Sequence, residues 1–231
     1  LLWFVTSMYY AANIYYEFKD SEEIPREMGT LEEEQKINET AALRVIGLTI
    51  ETRPDYVISP NEDRYEIVRF YRDLGVTRVQ IGVQHTDNAI LRFVNRDCTN
   101  EENIEAIKFL KDNGFKVDIH LMLDLPSSTP QKDINMLTEI LTNSDYEADQ
   151  WKIYPTEVTP YSKINEWYHA GTYKPYAEDD LTDLLLDMKS LIFPWIRLNR
   201  IVRDIPADYI ICSSEKSNLR QEMTDILKVE G

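Results

Sequence analysis

Four short apolar runs each stop at side chains able to exchange protons or hold a polar ligand. Residues 44–50 (RVIGLTI) lead into Glu51-Thr52-Arg53-Pro54-Asp55, and residues 77–83 (TRVQIGV) into Gln84-His85. Residues 116–123 (KVDIHLML) lead into Asp124-Leu125-Pro126, and residues 150–154 (QWKIY) into Pro155-Thr156-Glu157. A carboxylate accepts from hydroxyl and ammonium groups, and an amide both donates and accepts. Each position has a plainer reading. Glu51 could pair with Arg53 at a strand end. Gln84 could cap the helix that follows. Arg96 could answer the carboxyl end of a helix. His120, between Ile119 and Leu121, could be a satisfied core histidine. Lys152 is flanked by Trp151 and Ile153, so it points to one face of its strand alone. A charge on an inward face needs a reason; an outward lysine does not.

A second set suits a polyanion. Arg197, Arg200 and Arg203 recur at intervals of three. They form one ridge if helical and divide between two faces if extended. Trp195 beside them offers a stacking surface for a base, and arginine–phosphate contacts would make binding steeply salt-dependent. Tyr173 and Lys174 are lesser candidates for the same surface. The alternative is a row of arginines balancing the protein's own acidity. The chain carries 25 Lys and Arg against 41 Asp and Glu, a net charge of −16. That excludes coating nucleic acid or membrane by bulk charge and leaves room only for a local basic groove. Two cysteines, Cys98 and Cys212, exclude a disulfide scaffold and any complete cysteine-ligated cluster built from this chain alone. Such usage fits a reducing, cytoplasmic setting.

These residues must be positioned by strands and helices in alternation. Strands are expected at 44–50, 77–83, 116–123, 150–154 and 195–202. Helices are expected at 30–42, 64–74, 87–95, 101–113, 130–142, 162–170 and 178–191. Gly75 and Gly114 serve as stops, and Pro130 stands at a favoured first helical position. Residues 1–16 are apolar nearly all round but too short to span a membrane, so they predict a buried helix. Residues 17–40 read as an acidic connector. The alternation indicates parallel βαβ units. Neither GxGxxG nor GxxxxGK[ST] follows a strand, which disfavours a dinucleotide fold and favours an α/β, partial (βα) TIM-like barrel. Residues 1–43, 44–211 and 212–231 are expected to be an N-terminal helix with connector, the barrel core, and a C-terminal helix.

Seven segments in order resemble one family: GLTIETRPD (47–55), TRVQIGVQHTD (77–87), NRDCT (95–99), GFKVDIHLMLDLP (114–126), DQWKIYPTEVTP (149–160), GTYKPYAEDDL (171–181) and PWIRLNRIVRDIP (194–206). YYAAN (9–13) adds to them. Together they resemble the catalytic subunit of Elongator, a radical S-adenosylmethionine (SAM) enzyme that modifies the wobble uridine of tRNA.

The resemblance implies a barrel of radical SAM type without its first strands. It implies that this is a fragment whose upstream part binds a [4Fe–4S] cluster through three cysteines and whose downstream part is an acetyltransferase-like domain. SAM would be held by Glu51, Gln84, Arg96 and His120, with Arg96 on its carboxylate. Asp97, where the family pattern has glycine, would compete for that guanidinium. Lys152 would face acetyl-CoA or the substrate uridine. Arg197, Arg200, Arg203, Trp195 and Lys174 would meet tRNA, and other Elongator subunits would be partners. The acetyl group would end as a carboxymethyl group at C5 of uridine 34, and the isolated chain would be inactive. The strand tips Glu51, Gln84, Asp124 and Glu157 are expected to share one cavity mouth. A non-catalytic RNA-binding or assembly module with the same barrel is the alternative.

Overall fold

The computed structural model describes residues 1–59, 63–200, 209–212 and 225. Five strands lie in the order β1-β2-β3-β4-β5: β1 (Leu48–Thr52), β2 (Val76–Gln84), β3 (Lys116–Leu123), β4 (Gln150–Pro155) and β5 (Arg197–Arg200). Strands β3 and β4 pair in parallel, as do β4 and β5. Helices separate each strand from the next. An order that advances by one neighbour at every crossover belongs to a (βα) barrel; a doubly wound sheet reverses at a switch point.

The chain divides into two compact units, residues 1–50 with 62–78, and residues 51–61 with 79–231. In the first, α1 (Leu2–Ser21) packs on α2 (Leu31–Asn38) through Val5, Tyr9 and Ile14. Helix α1 is longer than expected and takes residues 17–21 from the anticipated connector. It is also buried on one side only. Leu1, Leu2, Trp3, Phe4, Tyr15, Tyr16 and Phe18 are exposed, because α2 covers a single face. Helix α2 opens with a capping box in which Thr30 and Glu33 satisfy each other's backbone N–H groups. Between the helices, the buried Glu34 carboxylate accepts from both Arg26 Nη atoms (2.6 and 2.7 Å), from the Gly29 amide (2.8 Å) and from Asn13 Nδ2 (2.9 Å). Helix α4 (Arg64–Asp73) stops at Gly75, whose φ of +83° and tight approach to Tyr9 leave no room for a Cβ.

The second unit holds α3 (Pro54–Val57), α5 (Asn88–Phe93), α6 (Asn100–Asp112), α7 (Pro130–Thr142), α8 (Lys163–His169) and α9 (Glu178–Leu191). Helix α3, unforeseen in the sequence, starts at Pro54 and lies against α6. Thr99 and Glu102 form a capping box on α6, and Thr129 caps α7 ahead of Pro130. The strands alternate cleanly. Val79, Ile81, Val83, Val117, Ile119, Leu121, Trp151 and Ile153 are all no more than 1% exposed. Polar residues occupy the intervening positions, and they carry the site.

Candidate active site

Three neighbouring strands present polar residues at alternate positions: Gln80 and Gln84 on β2 with Gly82 between them, Asp118 and His120 on β3, Gln150 and Lys152 on β4. The β3–β4 register sets Asp118 opposite Gln150 and His120 opposite Lys152. Because a strand alternates, these side chains share the face opposite the apolar core. Lys152 therefore points inward. Its Nζ donates to Gln80 Oε1 at 2.6 Å and stands 4.0 Å from Glu51 Oε2. Gln80 Nε2 donates to Asp118 Oδ2 at 3.1 Å, and Asn199 Nδ2 reaches the same oxygen at 3.4 Å. His120 is 5% exposed, with Nε2 3.3 Å from Gln80 Oε1 and Nδ1 3.4 Å from Glu51 Oε1. Glu51, His120 and Lys152, expected from the sequence, are thus brought together. Glu51 does not pair with Arg53; Arg53 forms a bidentate pair with Asp55.

Gln84 and Arg96 form a second group. The Arg96 guanidinium donates to the Gly82 carbonyl at 2.6 Å. Burial lowers the Arg96 pKa, and the nearby cation Arg53 adds to that. The Arg96 Nε and the Gln84 Oε1 are both buried without a hydrogen-bond partner. Asp97 does not compete for this guanidinium: its carboxylate is exposed and lies 4.0 Å from Arg53. Gln84 does not cap α5, because Asp87 does. Its backbone is left-handed (φ 68°), unusual for a residue with a Cβ. The next residue holds it there. His85 Nδ1 accepts from the Asp87 amide at 2.9 Å, and its Nε2 lies 3.4 Å from Asp133 Oδ1.

Asp124 belongs to a third group and corrects the expectation of a shared mouth. It is 1% exposed and left-handed (φ 59°). Its carboxylate folds back to accept from the Tyr176 amide (2.9 Å), and its carbonyl accepts from Tyr173 Oη (3.0 Å). Tyr173 is accordingly buried and no surface residue; burial and the Asp124 carboxylate push its phenol pKa up. Asp133 ties the same loops by accepting from the Asp124 amide (2.9 Å) and Tyr176 Oη (3.1 Å). Glu157 is half-buried after β4, next to Val158, which bridges to Cys212.

Trp195 and Lys174 are exposed, as is Arg197; Trp195 stacks on Phe193 with ring centroids 4.7 Å apart. Arg197 lies opposite Gln150 in the register, and a bulge sets Arg200 opposite Lys152. Arg203 is outside the described residues. Trp195 and Arg197 stand at the amino end of β5, whereas Glu51 and Gln84 stand at carboxyl ends of their strands. Burial pushes the Cys98 thiol pKa up to about 11, with Glu102 contributing and Arg96 opposing. Sequence reasoning missed Gln80, Asp118 and Asn199.

The Radical SAM superfamily model matches residues 11–137, more than half of the chain, and the Radical_SAM C-terminal domain model matches residues 148–228. The chain belongs to the radical SAM superfamily. Among curated relatives of this radical SAM chain, the tRNA uridine(34) acetyltransferase of Methanocaldococcus infernus is 41% identical over 206 residues, covering 89% of this chain and 38% of that protein. Human Elongator complex protein 3 is 36% identical over 189 residues, covering 80% and 33%. The structure of the archaeal Methanocaldococcus infernus Elp3 with an N-terminal deletion superposes with a TM-score of 0.86 at 39% identity, covering 99% of this chain and 50% of that one. The chain therefore resembles the Elongator catalytic subunits and spans a little over a third of the length of the first curated relatives.

The superfamily implies SAM and a [4Fe–4S] cluster. Buried, unpartnered atoms on Arg96 and Gln84 suit the carboxylate and hydroxyls of SAM. The cluster does not fit this chain's own residues. It has two cysteines in all, and no group of three possible ligands occurs among the described residues. No described helix is long and apolar enough to cross a membrane.

Proposed function

We propose that this chain is the SAM-holding barrel portion of a tRNA-modifying enzyme acting on uridine 34. In this reading an acetyl group from acetyl-CoA becomes a carboxymethyl group at C5 of the base. The observation that carries it is the half-buried Arg96 guanidinium: depressed in pKa, hydrogen-bonded to a neutral carbonyl, with its buried Nε unpartnered. An anionic carboxylate there would supply the compensation that the protein leaves out. Gln84 Oε1, from the adjoining strand tip, accepts from a ribose hydroxyl. Glu51, exposed at the mouth, accepts from the ligand's ammonium and can turn there from His120.

SAM, when bound beside a reduced cluster, supplies the radical that activates the substrate. This chain's part is to hold the ligand against one wall and exclude water behind it with the packed loops around Asp133. Lys152, held inward by Gln80, offers a donor to a carbonyl oxygen of the acetyl donor or the uracil ring. Trp195, Arg197, Arg200, Arg203 and Lys174 are the proposed tRNA contacts. Relatives named Elongator complex protein 3 support further subunits as partners. With two cysteines, the isolated chain does not cleave SAM, and deoxyadenosine formed by it after reconstitution with iron, sulfide and reductant would refute that point.

The site assignment is tested by titration calorimetry of the chain with SAM. Arg96→Gln is expected to weaken binding by about 10- to 100-fold, the loss of one charge-assisted contact. Equal affinity in a folded Arg96→Gln variant would remove the observation on which the reading stands.

A further inference from the structure

Gln80 sits between two groups whose hydrogen-bonding sense cannot change. Lys152 only donates, and it reaches Gln80 Oε1 at 2.6 Å. The carboxylate of Asp118 only accepts, and it faces Gln80 Nε2 at 3.1 Å. Turning the amide over would set its NH₂ against an ammonium and its oxygen against a carboxylate. The amide is therefore locked with its oxygen toward Lys152 and His120. His120 Nε2, 3.3 Å from that oxygen, must carry a hydrogen to interact favourably with it. Its other nitrogen, Nδ1, faces Glu51 Oε1 at 3.4 Å.

We propose that Gln80 is a positioning residue that fixes His120 as the Nε2–H tautomer and turns its basic Nδ1 toward the strand-tip mouth. Gln80 does not touch the ligand. It acts through His120, whose Nε2 proton it keeps, and through Lys152, which it holds inward on a neutral partner. Among the described groups Glu51 pulls the other way: its carboxylate draws a proton to Nδ1, and a ring protonated on both nitrogens satisfies Glu51 and Gln80 together. Glu51 comes from β1, Gln80 from β2, and Lys152 and Tyr154 from β4, with Tyr154 meeting the ring edge-on at 5.8 Å between centroids. The lock itself stands on the free chain. Only its use toward a bound ligand rests on reading Glu51 and His120 as SAM contacts.

The test is nitrogen-15 NMR of the chain labelled in its three histidines, with the His120 signals assigned by their loss in His120→Gln. Above pH 8 the parent is expected to show neutral His120 with a proton on Nε2 in slow exchange with water. A neutral His120 carrying its proton on Nδ1 would overturn the proposal with no variant needed. Gln80→Met, which removes the acceptor, is expected to lose the protected Nε2–H signal. A Gln80→Met variant that keeps the protected signal would make Gln80 a packing residue only. Because all these readings are taken without SAM, they are independent of whether SAM binds.

Discussion

The Gly82 carbonyl accepts from Arg96 at 2.6 Å, and a Cβ placed on Gly82 would stand 2.7 Å from the Arg96 Nη2 atom and 2.5 Å from Gln84 Nε2. Both clashing atoms are the far ends of flexible side chains. They can move aside at little cost to the fold, but not while remaining where a ligand would meet them. Gly82→Ala is therefore expected to change stability by less than about 0.5 kcal/mol and to weaken SAM binding by about 10-fold or more. Denaturant unfolding beside calorimetry checks both halves. A variant that binds SAM like the parent would show that neither side chain is held in place for the ligand.

Glu34 gives an acid-sensitive element away from the site. Its hydrogen bonds from Arg26, ahead of those from Gly29 and Asn13, pull its pKa down to about 2 against the cost of burial. A carboxyl with a depressed folded-state pKa contributes stability above its unfolded value, about 4.3, and loses it as pH falls toward the folded one. Because Arg26 is one-third exposed, the contribution is discounted to about 2 kcal/mol. Unfolding free energies of parent and Glu34→Gln are expected to converge between pH 4.5 and pH 2. A constant gap across that window would mean that the pair does not titrate with folding.

The arginines of β5 are tested by salt. Arg197→Ala combined with Arg200→Ala is expected to weaken tRNA binding by the full-length protein and to reduce the slope of log affinity against log salt by about 2, roughly 0.9 per phosphate contact. Arg197 opens β5 opposite Gln150, and Arg200 closes it opposite Lys152. Equal slopes for variant and parent would leave the arginines serving the protein's own acidic surface.

The positions of the elements were largely legible. Strand β3 and helices α7 and α9 fall at the expected residues, because apolar alternation, Thr129-Pro130 and the surrounding turns all agree there. Trp151 and Ile153 show that Lys152 points to one face alone, while an outward lysine stays open until the β3–β4 register and Gln80 turn it inward. Gln80 and Asp118 carried a signal that went unread: polar residues at alternate positions in three successive strands mark a wet inner face. Asp124 was misplaced because a residue at a strand tip was assumed to point forward. Its left-handed backbone turns the carboxylate back onto the Tyr176 amide, 52 residues away. Tyr173 turns inward for a different reason, since its partner is the Asp124 carbonyl, 49 residues distant. Local sequence shows where a chain turns, and it does not show which remote donor waits there.

Gln84 tests whether backbone strain serves the site. Its φ of 68° costs a residue with a Cβ about 1 kcal/mol, and glycine bears no such cost. The residue is held there by His85, fastened in turn to the Asp87 amide and set against Asp133. Such strain persists where a side chain is wanted in a place the backbone does not favour. Gln84→Gly is therefore expected to leave the fold as stable as the parent, or up to about 1 kcal/mol more stable, while reducing SAM affinity. Gln84→Ala separates the two effects, because it keeps the strain and loses the amide. It is expected to match Gln84→Gly in affinity and to fall below it in stability. If Gln84→Gly unfolds more readily than Gln84→Ala, the left-handed backbone is not a strained one. If both bind SAM like the parent, the buried amide oxygen of Gln84 is not a ligand contact.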